Sequence, residues 1–503
     1  METELKFSLP EDALQRIETI APLASRFIGA ATERHEITTY FDTPDCLLNK
    51  AGFSLRVRRA EGRFKQTLKA VCAHSATSRH EFEWATADNK VDLSKLAETP
   101  AGSLLSKIRG RLRPVFVTDV RRRTRDLRLE NDGLAEMAID LGEIKAGNAA
   151  EPVRELELEI KKGGVEPLCR LALELHAHAP LAMEFQSKAD RGYRLRDGSI
   201  SEPRKAPKIE LFRDVTTHDA LRTIIGAELA HLAGNETPAI RDGQVEGVHQ
   251  MRVAIRKLRS ALVLFSRQLE PVAAEAFQNE LRRLGDIFGD ARDWGVFLCE
   301  ALHGAEEAGI AREWLALLEK PAHVELDREN QRLRDATRQP AFTGFMLGLT
   351  AWAEGQVWCP PGKNARKIAR RPLRDSADDM LERLAAKVSK RGDKLDGSDE
   401  RLHALRKSLK KLRYGIDYLA GLYGAKQVKR YRKVCKRLQN ILGTINDAAA
   451  TDRLAGSLES HDRPDLAVAV GALAQWNSGR REEARAGFDR AWKRFRKAEP
   501  FWG

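Results

Sequence analysis

The chain has 503 residues, of which 42% are hydrophobic and 32% are charged, a composition typical of globular proteins with substantial cores. It contains no run of about eighteen apolar residues, which argues against a transmembrane helix, and its first ten residues do not form a secretory signal. Its six cysteines are widely spaced without a CxxC pair. This spacing argues against a disulfide framework or a zinc knuckle and predicts a cytoplasmic protein.

The positive charge is unevenly distributed along the chain. Residues 1–200 carry 32 basic and 31 acidic side chains, so that +12 of the net charge of +13 lies beyond residue 200. Such an excess attracts polyanions, which include nucleic acid, anionic membranes and polyphosphate. The net charge does not choose among them.

Short segments of the first 200 residues alternate between apolar and polar side chains. Examples are residues 2–7, 53–58, 80–84 and 155–160. A period of two predicts β-strands that have one apolar and one polar face. Helical segments, such as residues 10–28 and 164–178, interrupt these strands.

The polar faces of several predicted strands are charged. Arg56 and Arg58 share one face, and Glu81 and Glu83 share another, because residues two apart on a strand point the same way. One interpretation is the solvated outer face of an antiparallel sheet. In a closed barrel, however, the stacked like charges would need counter-ions. Carboxylates suit Mg²⁺ or Mn²⁺, and Arg and Lys suit phosphate, so that the interior would hold a metal–triphosphate complex.

The ordered motifs of this half carry a resemblance to a known family. The N-terminal pattern Glu2-x-Glu4-x-Lys6 resembles the ExExK signature of the CYTH, or triphosphate tunnel metalloenzyme, superfamily. Other segments resemble this family in the same order, namely residues 39–43, 55–58, 67–69, 79–83, 118–123, 139–145, 155–159 and 187–193. The resemblance implies an eight-stranded antiparallel barrel, open as a tunnel, with charged residues inside.

The same resemblance implies roles for individual residues. The implied catalytic and phosphate-binding residues are Glu4, Lys6, Arg56, Arg58, Lys69, Arg122 and Lys188. The implied ligands of Mg²⁺ or Mn²⁺ are Glu2, Glu4, Asp140 and members of the set Glu155, Glu157 and Glu159. The sequence leaves open which two of the last three ligate, whether a neighbour of Arg122 takes its place, and whether Lys65 replaces Lys69. The implied mechanism is electrostatic, with water attacking a triphosphate neutralised by metal and cations.

Beyond a predicted linker at residues 201–213, the periodicity becomes helical and an internal repeat emerges. The segment from His249 to Arg259 resembles the segment from His403 to Arg413, and a further match at the same offset of 154 includes Asp293 and Asp447. The predicted fold class is therefore α+β. A tunnel domain at residues 1–200 is followed by an all-α domain of two similar bundles at residues 214–500, with repeats at about 240–300 and 394–454.

The repeated helices carry basic stripes beside their apolar stripes. His249, Arg252 and Arg256 are spaced for one helix face, and the pattern recurs from His403. A solvated basic face is the alternative interpretation, but the occurrence of the stripe in both repeats favours a bound polyanion. The repeat resembles the CHAD domain, which implies polyphosphate binding. The residues for which this resemblance implies polyphosphate binding are His249, Arg252, Arg256, Lys257, Arg259, Arg283, His403, Arg406, Lys407, Lys410, Lys411, Arg413 and Arg437.

The sequence thus predicts a Mg²⁺- or Mn²⁺-dependent hydrolase of inorganic triphosphate, joined to a polyphosphate-binding domain that could place it on polyphosphate granules. We expect no membrane partner, and the scarcity of aromatic residues among the basic positions argues against nucleic acid. Alternatives are hydrolysis of thiamine, nucleoside or RNA triphosphates, adenylyl cyclase activity, and a non-catalytic polyphosphate scaffold. Fold-level resemblance does not separate these activities.

Overall fold

The computed structural model describes residues 2–71, 78–179, 181–198, 200–355, 358–360, 364–459 and 464–502. The side chains of residues 2, 15, 71, 78–80, 365 and 366 lie outside the described part. The chain forms two compact units. The barrel unit comprises Met1–Arg204, Leu229–Asp242 and Thr337–Gly355, and the helical unit comprises Lys205–Glu228, Gly243–Ala336 and Gln356–Gly503.

The described part of the barrel unit contains one antiparallel sheet of nine strands. They are β1 (Glu2–Ser8), β2 (Phe27–Asp42), β3 (Phe53–Ala60), β4 (Arg63–Val71), β5 (Ser78–Thr86), β6 (Arg113–Arg128), β7 (Leu134–Ala146), β8 (Ala149–Lys162) and β9 (Ala182–Met183). Strands β5, β4, β3, β2, β6, β7, β8 and β1 follow one another as neighbours, and pairing of β1 with β5 closes these eight into a barrel. The short β9 pairs with β1. The predicted eight-stranded antiparallel barrel is therefore confirmed.

Alternation along the strands separates an apolar outer face from a charged inner face. On β3, Leu55 and Val57 are fully buried in a core formed with residues 93–112. On β8, Leu156 and Leu158 pack in a second core that includes residues of β1, β7 and the helix at 165–178. Burial of each such side chain contributes about 1.5–3 kcal/mol. The charged side chains that alternate with them are consequently directed to the barrel interior.

Short helices flank the barrel. They are α1 (Glu11–Arg16), α2 (Ala21–Ala24), α3 (Leu47–Lys50), α4 (Leu105–Ile108), α5 (Val165–His178), α6 (Lys188–Asp197) and, later in the chain, α12 (Pro340–Glu354). Helix α6 begins with a capping box between Ser187 and Asp190 and packs against β6, β7 and β8. Gly192 permits this close packing, because a Cβ atom there would lie 2.2 Å from the ring of Phe116. The capping box fixes where α6 starts and hence the position of Lys188.

Most of the other described helices are longer. They are α7 (Thr217–Ala233), α8 (Val245–Leu264), α9 (Pro271–Val296), α10 (Leu302–Glu307), α11 (Arg312–Arg338), α13 (Ala365–Arg370), α14 (Arg374–Gly392), α15 (Asp399–Leu419), α16 (Ala425–Gly456) and α17 (Pro464–Arg496). Helices α8 and α15 begin 154 residues apart, as do α9 and α16, which matches the sequence repeat. None of the described helices is long and apolar enough to cross a membrane.

The predicted linker packs more closely than its composition suggests. Residues 201–212 adopt neither helix nor strand, but Ile209 and Leu211 are buried. Both belong to the helical unit. Residues 205–212 therefore take part in the packing of the helical unit, whereas residues 201–204 belong to the barrel unit.

Candidate functional site

The interior of the barrel is a cavity of about 270 Å³. All six predicted phosphate-binding cations line it, namely Lys6, Arg56, Arg58, Lys69, Arg122 and Lys188. The predicted metal ligands Glu4, Asp140, Glu157 and Glu159 line it as well, whereas Glu155 lies behind the cavity surface. Glu2 begins β1, but its side chain lies outside the described part. The alternative lysine, Lys65, also lines the cavity.

Three buried carboxylates, Asp140, Glu155 and Glu157, form what we call the carboxylate cluster. Each offers an oxygen within 4.8 Å of the other two. Adjacent strands bring them together, since Asp140 on β7 is the register partner of Glu155 on β8. The Nζ atom of Lys188 lies 2.7, 2.6 and 2.9 Å from oxygens of Asp140, Glu155 and Glu157 respectively. The ammonium group thus occupies the point on which the three carboxylates converge.

Further cations surround the carboxylate cluster. Lys6 Nζ lies 3.1 Å from Glu157, and Arg122 donates hydrogen bonds of 2.8 Å to Asp140 and to Glu157. Arg191 on α6 contacts Glu155 at 2.6 Å. The neighbouring opposite charges favour the ionised forms of these groups, whereas burial opposes them.

The pKa values in the cluster reflect this balance. Burial raises the pKa of the Glu157 carboxyl, but the charges of Lys188, Lys6 and Arg122 outweigh burial and hold it well below the usual 4.5. For Asp140 the effect of burial is larger than that of the Arg122 and Lys188 charges, and the pKa of its carboxyl is raised above 3.8. The Glu157 carboxyl is therefore ionised at neutral pH.

The opposite wall of the cavity carries arginine and lysine with fewer acids. Arg56 contacts Glu81 at 3.2 Å, Lys69 contacts the same carboxylate at 3.3 Å, and Arg58 contacts Glu36 at 3.1 Å. Burial, and after it the neighbouring Arg56, lowers the pKa of Arg58. Such like-charge crowding is relieved by an anion between the guanidinium groups.

Two buried polar atoms show what the cavity can accept. Among the described residues, Arg58 Nε and Asp140 Oδ1 are buried and make no hydrogen bond. The first is a donor suited to a phosphate oxygen, and the second is a carboxylate acceptor suited to a hard divalent cation. The carboxylate cluster of Asp140, Glu155 and Glu157 is therefore an oxygen donor set that fits Mg²⁺ or Mn²⁺.

Several residues that line the barrel cavity are not among the predicted site residues. Glu36 and Tyr40 project from β2, and Glu136 and Lys161 from β7 and β8. The sequence could have indicated Glu36 and Tyr40, because they are an even number of residues apart on one strand and therefore share a face. Burial raises the pKa of the Tyr40 hydroxyl, but Arg56 and Arg58 outweigh it and lower that pKa.

A second cavity, of about 770 Å³, lies within the helical unit and is called the helical cavity below. Six of the predicted polyphosphate-binding residues line it, namely His249, Arg252, Arg256, His403, Arg406 and Lys410. The ion pair between Arg252 and Asp293 at 3.0 Å recurs as the pair between Arg406 and Asp447 at 3.3 Å. The sequence repeat is thus also a repeat of the site.

The charges of the helical cavity are incompletely compensated. Burial is the main cause that lowers the pKa of Lys410, to about 6, and the nearby Arg256 and Arg406 lower it further. Among the described residues, the Nε atoms of Arg292 and Arg406 are buried without a hydrogen-bond partner. A bound polyanion would supply both the missing charge and the missing acceptors.

The other seven predicted residues lie outside the helical cavity. Lys257 forms a buried ion pair with Glu228, Arg283 pairs with Glu280 on its own helix, and Arg413 donates to Gln439. The remaining members of this set are Arg259, Lys407, Lys411 and Arg437. Lys257 follows Arg256 directly, and adjacent helical positions point about 100° apart.

Comparison with known families gives two matches, of which the second includes two segments of the barrel unit, Leu229–Asp242 and Thr337–Gly355. Residues 1–193 match the CYTH domain, and residues 223–456 match the CHAD domain. The chain is a CYTH–CHAD protein. Its barrel and its paired helical repeats are therefore the CYTH and CHAD domains, respectively.

Individual relatives give the extent of the likeness. An inorganic triphosphatase of Haemophilus influenzae is 30% identical over 166 residues, which are 31% of this chain and 45% of that protein. An uncharacterized protein of Mycobacterium tuberculosis is 30% identical over 228 residues, or 42% of this chain and 40% of that one. The CYTH–CHAD chain thus spans less than half the length of these curated relatives. The crystal structure of the CHAD domain from the plant Ricinus communis is 26% identical, with a TM-score of 0.51, and covers 59% of this chain and 98% of that one.

Proposed function

We propose that the barrel cavity hydrolyses inorganic triphosphate to pyrophosphate and phosphate with the help of Mg²⁺ or Mn²⁺. The observation that carries this proposal is the meeting of two chemistries in one closed barrel. A carboxylate cluster suited to a divalent cation lies on one wall, and guanidinium and ammonium groups suited to phosphate lie on the other. The CYTH assignment, and the name of the Haemophilus influenzae relative, support hydrolysis of triphosphates.

The lining of the barrel cavity favours an inorganic substrate. Of the described residues that line it, Val120 and Ala189 are the apolar ones and Tyr40 is the aromatic one. A nucleoside or thiamine group needs apolar or aromatic surfaces against which to pack. Three linked phosphates need only charges and hydrogen-bond donors, which this lining supplies.

The proposed mechanism is electrostatic stabilisation of the charge that develops in the transition state. Arg56, Arg58 and Arg122 bind and orient the phosphates through guanidinium groups, which match phosphate oxygens in pairs. Lys6 and Lys188 neutralise charge on the leaving group. A divalent cation, when bound by the acidic side chains, would add Lewis-acid polarisation of the phosphoryl oxygens.

Phosphate release from tripolyphosphate, ATP and thiamine triphosphate, each with and without Mg²⁺, tests this proposal. We expect metal-dependent hydrolysis with strong preference for tripolyphosphate. Glu4→Gln removes one charged oxygen ligand and is expected to reduce the rate, with partial recovery at higher Mg²⁺. Glu143→Gln is the matched control, because its carboxylate pairs with Lys145 outside the cavity. A wild type without metal-dependent hydrolysis would instead indicate a non-catalytic scaffold.

For the CHAD domain we propose polyphosphate binding in the helical cavity, which would bring the hydrolase to polyphosphate granules in the cytoplasm. The incompletely compensated cations of α8 and α15 support this. Arg406→Ala should weaken binding of long polyphosphate by the full chain, and the exposed Arg490→Ala should not. Equal or tighter binding of RNA would contradict the choice of partner.

A further inference from the structure

The two cavities differ in the side chains that line them. The helical cavity has an apolar wall, formed by the half-buried Trp476 and by five buried side chains, Phe297, Leu402, Leu442, Ile445 and Leu454. Several of these residues belong to the core between α9, α16 and α17. The barrel cavity has no comparable wall among its described lining residues. A ligand that is only a chain of phosphates has no group that could stack on the Trp476 ring.

Trp476 and Arg480 form a platform at the apolar wall. They lie one turn apart on α17, and the Arg480 guanidinium carbon is 4.4 Å from the centre of the Trp476 ring. Both line the cavity. Planar bases stack on indole rings and on guanidinium planes, and neither contact depends on phosphate.

Carboxylates also line the helical cavity. Glu300 and Glu400 offer carboxylate oxygens among its lining residues. The same oxygens can accept hydrogen bonds from the hydroxyl groups of a ribose or from the amino group of a base. The volume of about 770 Å³ falls in the range of pockets that enclose small organic ligands.

From this lining we infer that the helical cavity binds a nucleoside polyphosphate. Its phosphates lie against Arg252, Arg256 and Arg406, and its base lies against the platform of Trp476 and Arg480. This inference deepens the proposed polyphosphate-binding role and rests on it. The phosphate end of the ligand uses the same cations, and the apolar wall distinguishes a nucleotide from inorganic polyphosphate.

The test measures binding of ATP, tripolyphosphate and adenosine to the full chain by calorimetry, in EDTA to prevent hydrolysis. All proteins carry Arg56→Ala and Arg58→Ala so that binding in the barrel is weakened. Trp476→Leu should weaken ATP binding roughly 5- to 150-fold, the range measured for loss of one base–aromatic stack, and leave tripolyphosphate unchanged within about twofold. Trp476→Phe should restore most of the affinity for ATP, and adenosine alone should bind weakly.

Arg406→Ala separates this inference from the proposal on which it rests. It should weaken ATP and tripolyphosphate alike. If tripolyphosphate binds but ATP does not, or if Trp476→Leu changes both ligands equally, the inference is overturned and the polyphosphate role survives. If neither phosphate ligand binds, the polyphosphate role itself fails. Should Trp476→Leu lower the thermal midpoint, Arg480→Lys serves as the second variant, because it keeps the charge but removes the guanidinium plane, and the same selective loss of ATP is expected.

Discussion

Removal of the Lys188 ammonium group tests how the CYTH domain stabilises its buried carboxylate cluster. Nζ makes three contacts of 2.6–2.9 Å, and the side chain is 13% exposed. At an effective dielectric constant of about 20, each contact supplies about 6 kcal/mol of gross attraction, much of which the desolvation of the charges offsets. Lys6, Arg122 and Arg191 remain beside the cluster in Lys188→Met, so the carboxylates keep part of their compensation.

The net cost of Lys188→Met should therefore be about 3–5 kcal/mol, as for other buried ion pairs that lose one partner. In a domain of roughly 150–250 residues, this corresponds to a thermal midpoint lowered by roughly 6–20 °C. Scanning calorimetry of the full chain, in EDTA and in Mg²⁺, measures the change. Mg²⁺ should raise the midpoint of the variant more than that of the wild type, because a divalent cation can replace the lost positive charge.

The matched control is Lys145→Met. Lys145 contacts Glu143 at 2.6 Å, but the pair is open to solvent outside the cavity, and such pairs contribute little. A Lys188→Met variant as stable as this control would refute the reasoning. So would a Mg²⁺-induced shift of the same size in Lys188→Met and in the wild type.

Three further changes are expected to be measurable. Because the pKa of Lys410 is about 6 in the free protein, Lys410 should take up a proton when an anion binds near pH 7.5. The affinity for tripolyphosphate should then fall as the pH rises from 6 to 8. Calorimetry in two buffers should show a smaller proton uptake for Lys410→Met than for the wild type. In denaturant titrations, Gly192→Ala should destabilise the protein by about 1–3 kcal/mol, since its Cβ would collide with Phe116. Gly443→Ala, which has open space around it, should instead stabilise α16 by about 0.5–1 kcal/mol. Arg191→Lys should lower kcat more than it raises KM, because Arg191 positions the carboxylate cluster without lining the cavity; a change confined to KM would contradict this role.

Much of the fold could be predicted because it depends on local periodicity. Alternation along residues 53–58 and 155–160 separated the buried Leu55 and Leu158 from the cavity-lining Arg56 and Glu157. The offset of 154 likewise located two pairs of related helices. Both patterns follow from short-range backbone geometry, which a sequence records directly.

Alternation along a strand did not determine which inward-facing side chains reach the cavity of the barrel. Glu155, Glu157 and Glu159 have the same parity on β8, yet Glu155 lies under α6 against Arg191 while the other two line the cavity. Helical repetition likewise did not determine the surroundings of Lys257, which forms a buried ion pair with Glu228. Each outcome depends on which neighbouring element covers the residue.

The sequence by itself determined the strand and helix periods, the repeat and the chemical character of each face. Only the tertiary structure decided that β1 meets β5 to close the barrel, that Lys188 lies among three carboxylates, and that Trp476 from α17 joins a cavity lined by α8 and α15. The physical reason is that periodicity arises from contacts between residues a few positions apart. Convergence of distant side chains depends on register and packing across the whole domain.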